Sequence, residues 1–341
     1  MLKTQKIMQI SDYININKIT LKIDWAFINE SLIRFVPNVR IEDDTWFNYQ
    51  KLVYKLIDEI LGEYGYNTKL LTAAIFHNIK SVLILESKDQ ITNESITRLL
   101  LWDEDINTRE SICYIIKHQS NVPNILDKSN YLEQIVNVTK NSVSWPDLLM
   151  FRKCITKVYN ITEDNKALKK IIGSIYVSDI ITKQEVFDND KAINVYLLIG
   201  LPGSGKSTFI NNNLTGATVI SRDIIRYELG MCGENEKIIG TKDEENNVTK
   251  IFNEKLINAA QLGNDIVLDN MNNKISYRNS YHHLLKDYNV VWHYIYIQPT
   301  TLSKNIERRA DSIPGDQFYP MILRFEWPEF GEYNTFKIIQ N

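Results

Sequence analysis

Cysteine is scarce in this chain. Its three thiols, Cys113, Cys154 and Cys232, are odd in number and widely spaced over 341 residues. That excludes a disulfide-framed fold and a zinc knuckle, and it points to a reducing compartment. Long apolar runs are also missing. None approaches the ~18 residues of a membrane-spanning helix, so no membrane partner is expected. The segment 1–10 carries Lys3 and Lys6 without the apolar stretch of a secretory leader. A cytoplasmic location is therefore expected. There is no excess of positive charge either. The formal net charge is −3, which excludes extensive non-specific wrapping of nucleic acid but leaves room for a local basic site. Glycine and proline are few, at 13 and 8, and no repeat or low-complexity tract occurs, so the chain is not linker-like or fibrous. With 44% hydrophobic and 24% charged residues it can bury a sizeable core.

The length favours two domains, and the patterning changes character near residue 188. Residues 1–188 read mostly as helices. Within 46–61, Leu52, Val53, Leu56, Ile57, Ile60 and Leu61 recur at helical spacing with charges between them. Residues 69–85 read as a second, more buried helix, and 109–118, 131–139, 147–158 and 164–181 as further helices. The stretches 121–124 and 141–146 read as connections, and the Asp- and Lys-rich 184–193 as a hinge or linker. Over 189–341 strand alternates with helix. Strands are predicted at 193–199, 217–220, 265–268 and 290–297, with helices from Lys206 and at 243–262, 276–287 and 301–308. Such alternation predicts a parallel sheet flanked by helices, with ligands at the carboxyl ends of the strands.

The stretch Gly200-Leu-Pro-Gly-Ser-Gly-Lys-Ser-Thr208 fits the pattern G-x-x-x-x-G-K-[ST] between a strand and a helix start. In this P-loop, Gly200, Gly203, Ser204 and Gly205 let backbone N–H groups close around phosphate oxygens. Lys206 adds a point charge at the β- and γ-phosphates, Ser207 offers a hydroxyl to Mg²⁺, and Thr208 continues the phosphate-binding turn. The helix N-terminus adds roughly half a positive charge. ATP with Mg²⁺ is the expected ligand, since no guanine-reading Asn-Lys-x-Asp motif is present.

Ser221-Arg-Asp-Ile-Ile-Arg226 directly follows the second predicted strand. Phosphoryl transfer to an alcohol needs a group that takes the hydroxyl proton, and Asp223 at a strand end suits that role. Arg226, three residues on, shares its helix face and can grip an acceptor phosphate by a bidentate pair. An Asp N-cap beside a solvated Arg is the plainer reading. The apolar stretch 266–270 ends in a carboxylate and an amide, and Asp269 there can hold Mg²⁺ through water, orient the acceptor, or simply cap the next segment. Arg278 on the following helix is expected to face the same cleft or the surface. Arg308 and Arg309 are candidates for a lid arginine over ATP, or for pairing with Glu307 or Asp311 at the surface.

Together these motifs, with Phe325-Glu-Trp-Pro328 before a Glu332-Tyr333 tail, resemble P-loop polynucleotide 5′-kinases over residues 195–335. The chain looks most like the bacterial two-domain end-healing enzymes, in which an HD-type phosphohydrolase module precedes the kinase. That resemblance implies an α/β P-loop kinase domain preceded by an all-α HD-like domain. By it, Asp223 is the general base, Arg226 contacts the acceptor nucleotide's phosphate, and Asp269 helps position the 5′-OH. An arginine at 308–309 closes over ATP. The substrate would be a 5′-OH end of RNA or DNA, and a ligase or a separate 3′-phosphatase would act in the same pathway. Two other readings stay open. One is a small-molecule kinase acting on an antibiotic, a sugar or a nucleotide sugar. The other is a non-catalytic nucleotide-binding interaction module.

The HD-type resemblance rests on Trp46-Phe-Asn-Tyr49, on the apolar run 71–80 that contains His77-Asn78, and on 109–119 with His118. HD chemistry holds one or two transition metals with several His and Asp side chains. Here Asn48 and Asn78 stand where the resemblance implies a His and an Asp, and Asn supplies no carboxylate charge. His77 and His118 are relics by this reading, no metal is expected, and no 3′-phosphatase activity. His77 would be a satisfied core histidine; a surviving weak metal site is the alternative.

Overall fold

The structure is a computed structural model and describes residues 14–17, 20–36, 39–85, 91–119, 145–161, 192–231, 240–310, 312–329 and 331–341. These fall into two compact units that part between residues 184 and 185. The expected boundary at 188/189, most of the linker at 184–193, the helices at 131–139 and 164–181, the connection at 121–124 and Cys232 lie outside the described residues. So does the connection at 141–146, except for Trp145 and Pro146.

The N-terminal unit mixes strands with its helices. A β1–β2 pair (Ile14–Asn17 and Thr20–Ile23) is antiparallel and leads into α1 (Trp25–Phe35). Asp24 caps α1 by accepting from the Phe27 N–H at 3.0 Å. Strand β3 (Val39–Ile41) precedes α2 (Asp43–Tyr64), the helix that the spacing of Leu52 to Leu61 predicts. Its buried stripe is Trp46, Tyr49, Val53, Leu56, Ile57 and Ile60, at the three- and four-residue intervals of one helix face. Helix α3 (Thr68–Phe76) starts at Asn67, whose Oδ1 accepts from the Leu70 N–H at 3.2 Å.

The single helix expected over 69–85 does not form. Helix α3 stops at Phe76, a 3₁₀ turn spans Ile79–Val82, and Leu83–Leu85 forms β4, antiparallel to β3. The apolar run continues through all three pieces, so periodicity alone misses the break; pairing with β3 draws the last residues into a strand. Helices α4 (Asn93–Leu100), α5 (Ile106–His118) and α6 (Trp145–Val158) complete the unit. Pro146 sits in the first turn of α6, where its missing N–H costs nothing. Arg98 and Arg109 both bond the buried Glu110 carboxylate, at 3.0 and 2.8 Å, between α4 and α5.

The C-terminal unit is a five-stranded sheet in the order β6-β7-β5-β8-β9 with every neighbouring pair parallel. Its elements are β5 (Ile193–Ile199), α7 (Lys206–Asn213), β6 (Thr218–Ser221), α8 (Arg222–Glu228) and α9 (Lys242–Gln261). They continue with β7 (Ile266–Asp269), α10 (Ile275–Leu284), β8 (Val290–Gln298), α11 (Leu302–Arg308), α12 (Phe318–Leu323) and β9 (Thr335–Gln340). Leu198, Val267, Ile295 and Ile297 pack beneath Ile210 of α7 as one core. Helix α9 opens on a capping box between Thr241 and Glu244 and buries Val248, Phe252, Leu256, Ala259 and Ala260. From β5 the chain winds to one side and from β7 it crosses to the other. The carboxyl end of β5 is therefore the switch point where a ligand crevice opens. Among the described residues no helix is long and apolar enough to cross a membrane.

Candidate active site

The loop after β5 is built on two glycines that take left-handed backbone. Gly203 has φ 73° and Gly205, the residue before α7, has φ 98°. A Cβ on Gly203 would stand 2.7 Å from the Asn305 carbonyl oxygen, so the loop also packs too tightly for a side chain there. The Asn305 side chain is buried and its Nδ2 donates to the Pro202 carbonyl at 2.9 Å. The middle of α11 is thus fastened to the loop. Arg308, one helical turn on, donates from Nη1 to the Gly203 carbonyl at 3.1 Å.

Lys206 lies over this loop. Its ammonium donates to the carbonyls of Gly200 and Leu201 at 2.9 and 3.0 Å. Loss of water around the ammonium pushes its pKa down to about 8, against the pull of Asp269 and Asp223 and with the help of Arg309. That balance brings four expected site residues into one electrostatic neighbourhood. Ser204 is buried, while Ser207 and Thr208 on the first turn of α7 are exposed. The geometry suits a triphosphate: a ring of backbone, a desolvated ammonium, an open hydroxyl and a helix N-terminus converge on one spot.

Two carboxylates stand beside it at neighbouring strand ends. Ser221 and Asp269 are opposite each other in the β6–β7 register, and Asp223 follows in the first turn of α8. Burial raises the pKa of Asp269 and the Asp223 charge adds to it, while Lys206 opposes both. Asn270 ties the two strand ends together, its Oδ1 accepting from the Arg222 N–H at 3.1 Å. The Asp223 side chain is 79% exposed and accepts from Arg226 Nη1 at 2.7 Å.

Arg226 has a second partner that the sequence did not disclose. Its Nε and Nη2 donate to the two carboxylate oxygens of Glu245 at 2.8 and 3.0 Å. The side-on fork expected to grip an acceptor is therefore bonded to the protein. Glu245 lies in the acidic first turn of α9; that turn is readable from Asp243-Glu244-Glu245, but its partner 19 residues earlier is not.

Arg278 is placed differently from the expectation that it faces the cleft. It is fully buried and donates to Glu332 from Nε and Nη2 at 2.6 and 3.1 Å, and from Nη1 to the Asn272 and Glu326 carbonyls at 3.1 and 3.0 Å. It fastens α10 to the segment after α12, to which Phe325-Glu-Trp-Pro328 belongs. In that segment Trp327 packs edge-on against Tyr296, 4.8 Å between ring centres, and Glu326 caps α10 by accepting from the Ile275 N–H at 2.6 Å.

In the N-terminal unit His77 ends α3 with both ring nitrogens engaged. Nδ1 lies 2.8 Å from the Ala74 carbonyl, so it carries the proton; Nε2 then accepts from the Tyr159 hydroxyl at 2.8 Å. Burial pushes its pKa down to about 4. Asn48 points outward, on the exposed side of α2, while Trp46 and Tyr49 face in. His118 stacks on Tyr114, 4.1 Å between ring centres. Among the described residues no three His, Cys, Asp or Glu side chains converge as a metal site would require.

Residues 195–328 match the family model of an AAA domain. No curated protein sequence matches the chain. Among solved structures, the chain is similar to a candidate kinase from Chloroflexus aurantiacus at 11% identity and a TM-score of 0.35, over 44% of this chain and 88% of that one. It is also similar to a gluconokinase from Sinorhizobium meliloti at 18% identity and a TM-score of 0.29, over 44% and 83% respectively. The five-stranded parallel sheet, its flanking helices and the glycine-rich loop after β5 make an α/β unit with a P-loop, and the AAA-domain match lies within that unit.

Proposed function

We propose that the chain is an ATP-dependent polynucleotide 5′-hydroxyl kinase, acting on 5′-OH ends of RNA or DNA in nucleic-acid end healing. The observation that carries the reading is Asp223 with Arg226 beside the P-loop: a carboxylate at a strand end with a cation on the same helix face. Asp223 takes the proton of the 5′-OH as that oxygen bonds the γ-phosphorus of ATP. The bond from the γ-phosphorus to the bridging oxygen breaks, and ADP leaves. Lys206 and an arginine of 308–309 neutralise charge on the transferring group. Ser207 would hold Mg²⁺, which supplies further neutralisation at the phosphates. Asp269 orients the acceptor, and a terminal nitrogen of Arg226 meets the acceptor's phosphate.

The N-terminal unit, in the same proposal, is a degenerate HD-like module without 3′-phosphatase activity. What supports this is His77, whose Nε2 lone pair is already used by Tyr159. A ligase or a separate 3′-phosphatase would then complete the pathway. Stoichiometric Mn, Ni or Fe in purified protein would reject this part.

A small-molecule alcohol is the second reading, favoured by one observation. The Arg226 fork is bonded to Glu245, so the cation faces an acceptor with less net charge than a lone arginine would. Transfer from γ-labelled ATP to a 5′-OH RNA and a matched DNA, with an Asp223→Ala control, tests the proposal. Label on either oligonucleotide that vanishes in the control supports it; a 3′-phosphate that survives on the same substrate supports the inactive module. ATP binding without label on either strand rejects it in favour of the small-molecule acceptor.

A further inference from the structure

We infer that Glu245 is a positioning residue for acceptor recognition: it fixes the guanidinium plane of Arg226 so that only the terminal edge of that group meets the acceptor's phosphate. The inference rests on the polynucleotide reading and adds to it a residue 19 positions from Arg226.

A guanidinium is flat and carries five N–H groups. Bonding Nε and Nη2 to one carboxylate at 2.8 and 3.0 Å sets its plane and its rotation together. Asp223 takes one further N–H, on Nη1, at 2.7 Å. One N–H then remains on each terminal nitrogen. The Arg226 side chain is 16% exposed, against 34% for Glu245 and 79% for Asp223, so the arginine is the most enclosed of the three and Asp223 the most open. A phosphate arriving next to Asp223 is offered that terminal edge alone.

Glu245 is itself well anchored. Its turn is closed by the Thr241–Glu244 capping box. Its carbonyl accepts from the Thr249 hydroxyl at 3.0 Å, and that hydroxyl accepts from Arg222 Nη1 at 2.9 Å. Arg222 stands one residue before Asp223. One continuous set of bonds therefore ties the start of α9 to both ends of the Arg222-Asp223-Arg226 segment. The hydrogen bonds from Arg226, helped by its charge, keep the Glu245 carboxyl below its ordinary range, so the pair is ionised at neutral pH.

The test is steady-state transfer to a 5′-OH oligonucleotide by wild type, Glu245→Ala, Glu245→Gln, Arg226→Ala and the Glu245→Ala/Arg226→Ala double variant. Glu245→Ala is expected to raise the acceptor KM about tenfold or more, the scale of one lost charge-assisted contact, with the ATP KM unchanged. Glu245→Gln, which keeps one accepting oxygen, should fall between it and wild type. In the Arg226→Ala background, Glu245→Ala should add nothing, because a residue acting only through Arg226 has no one left to act on. A shift in ATP KM equal to the shift in acceptor KM, or additive losses in the double variant, would show a general structural role and overturn the inference. So would an unchanged acceptor KM in Glu245→Ala. No transfer by the wild-type chain overturns the polynucleotide reading and this inference with it; wild-type transfer that Glu245→Ala leaves intact overturns the inference alone.

Discussion

The Lys206 ammonium donates to the carbonyl of Gly200, six residues earlier, at 2.9 Å. The lysine thus lies along its own loop, poorly hydrated, with a pKa of about 8 rather than its ordinary 10.5. A triphosphate arriving there brings negative charge that favours the protonated form. Binding of ATP should therefore take up a proton at pH near and above 8, and affinity should fall as pH rises through that range. Calorimetric titration in buffers of different ionisation enthalpy reads the proton directly. Affinity that stays flat from pH 7 to 9.5 would show that the lysine keeps its proton throughout.

Arg278 and Glu332 form a buried bidentate pair. Arg278→Ala leaves the Glu332 carboxylate without its counter-charge, with the Glu329 N–H still donating to it, and takes one donor from each of two backbone carbonyls, so it should cost about 3–5 kcal/mol of stability in the C-terminal unit. Arg278→Lys should cost less but not be neutral, since an ammonium cannot reproduce the fork. Urea unfolding of the two variants checks this. If Arg278→Ala instead left the unfolding midpoint in place and weakened acceptor use, the arginine would belong to the site after all.

His77 makes the N-terminal unit sensitive to acid. Its folded pKa of about 4 lies below the ordinary 6.5, so below pH 6.5 the unfolded chain binds a proton that the folded one refuses. Its contribution is full above about 6.5 and is lost as pH falls toward 4, for a total on the order of 3 kcal/mol. Thermal melts of wild type and His77→Gln across pH 4–7.5 should converge at the acid end. Parallel curves would mean that carboxylates alone govern the slope.

The sheet and its phosphate loop could be read from the sequence because their signals are local: an apolar run, a glycine-rich turn and a helix start lie within twenty residues. The same holds for α2, α5 and α9, where one face repeats cleanly. What escaped was long-range. Arg278 sits on a helix whose neighbours Tyr277, Asn279 and Ser280 look like surface, and its burial depends on Glu332, 54 residues away. Glu245 reads as an ordinary acidic helix start. Strand β9 was not predicted, because Thr335–Gln340 is a half-exposed edge that, among the described residues, pairs with β8 alone. In the N-terminal unit the break after Phe76 was hidden by apolar residues that run on through a change of backbone.

Asn305 has a mechanical consequence. With its amide bonded to the Pro202 carbonyl, the middle of α11 cannot part from the phosphate loop without breaking that hydrogen bond. Any swing of Arg308 and Arg309 is therefore a pivot about that point, and the lever arm is only three or four residues, about 4.5–6 Å along the helix axis. A gate of that size can press on the terminal phosphate but cannot sweep across a cleft.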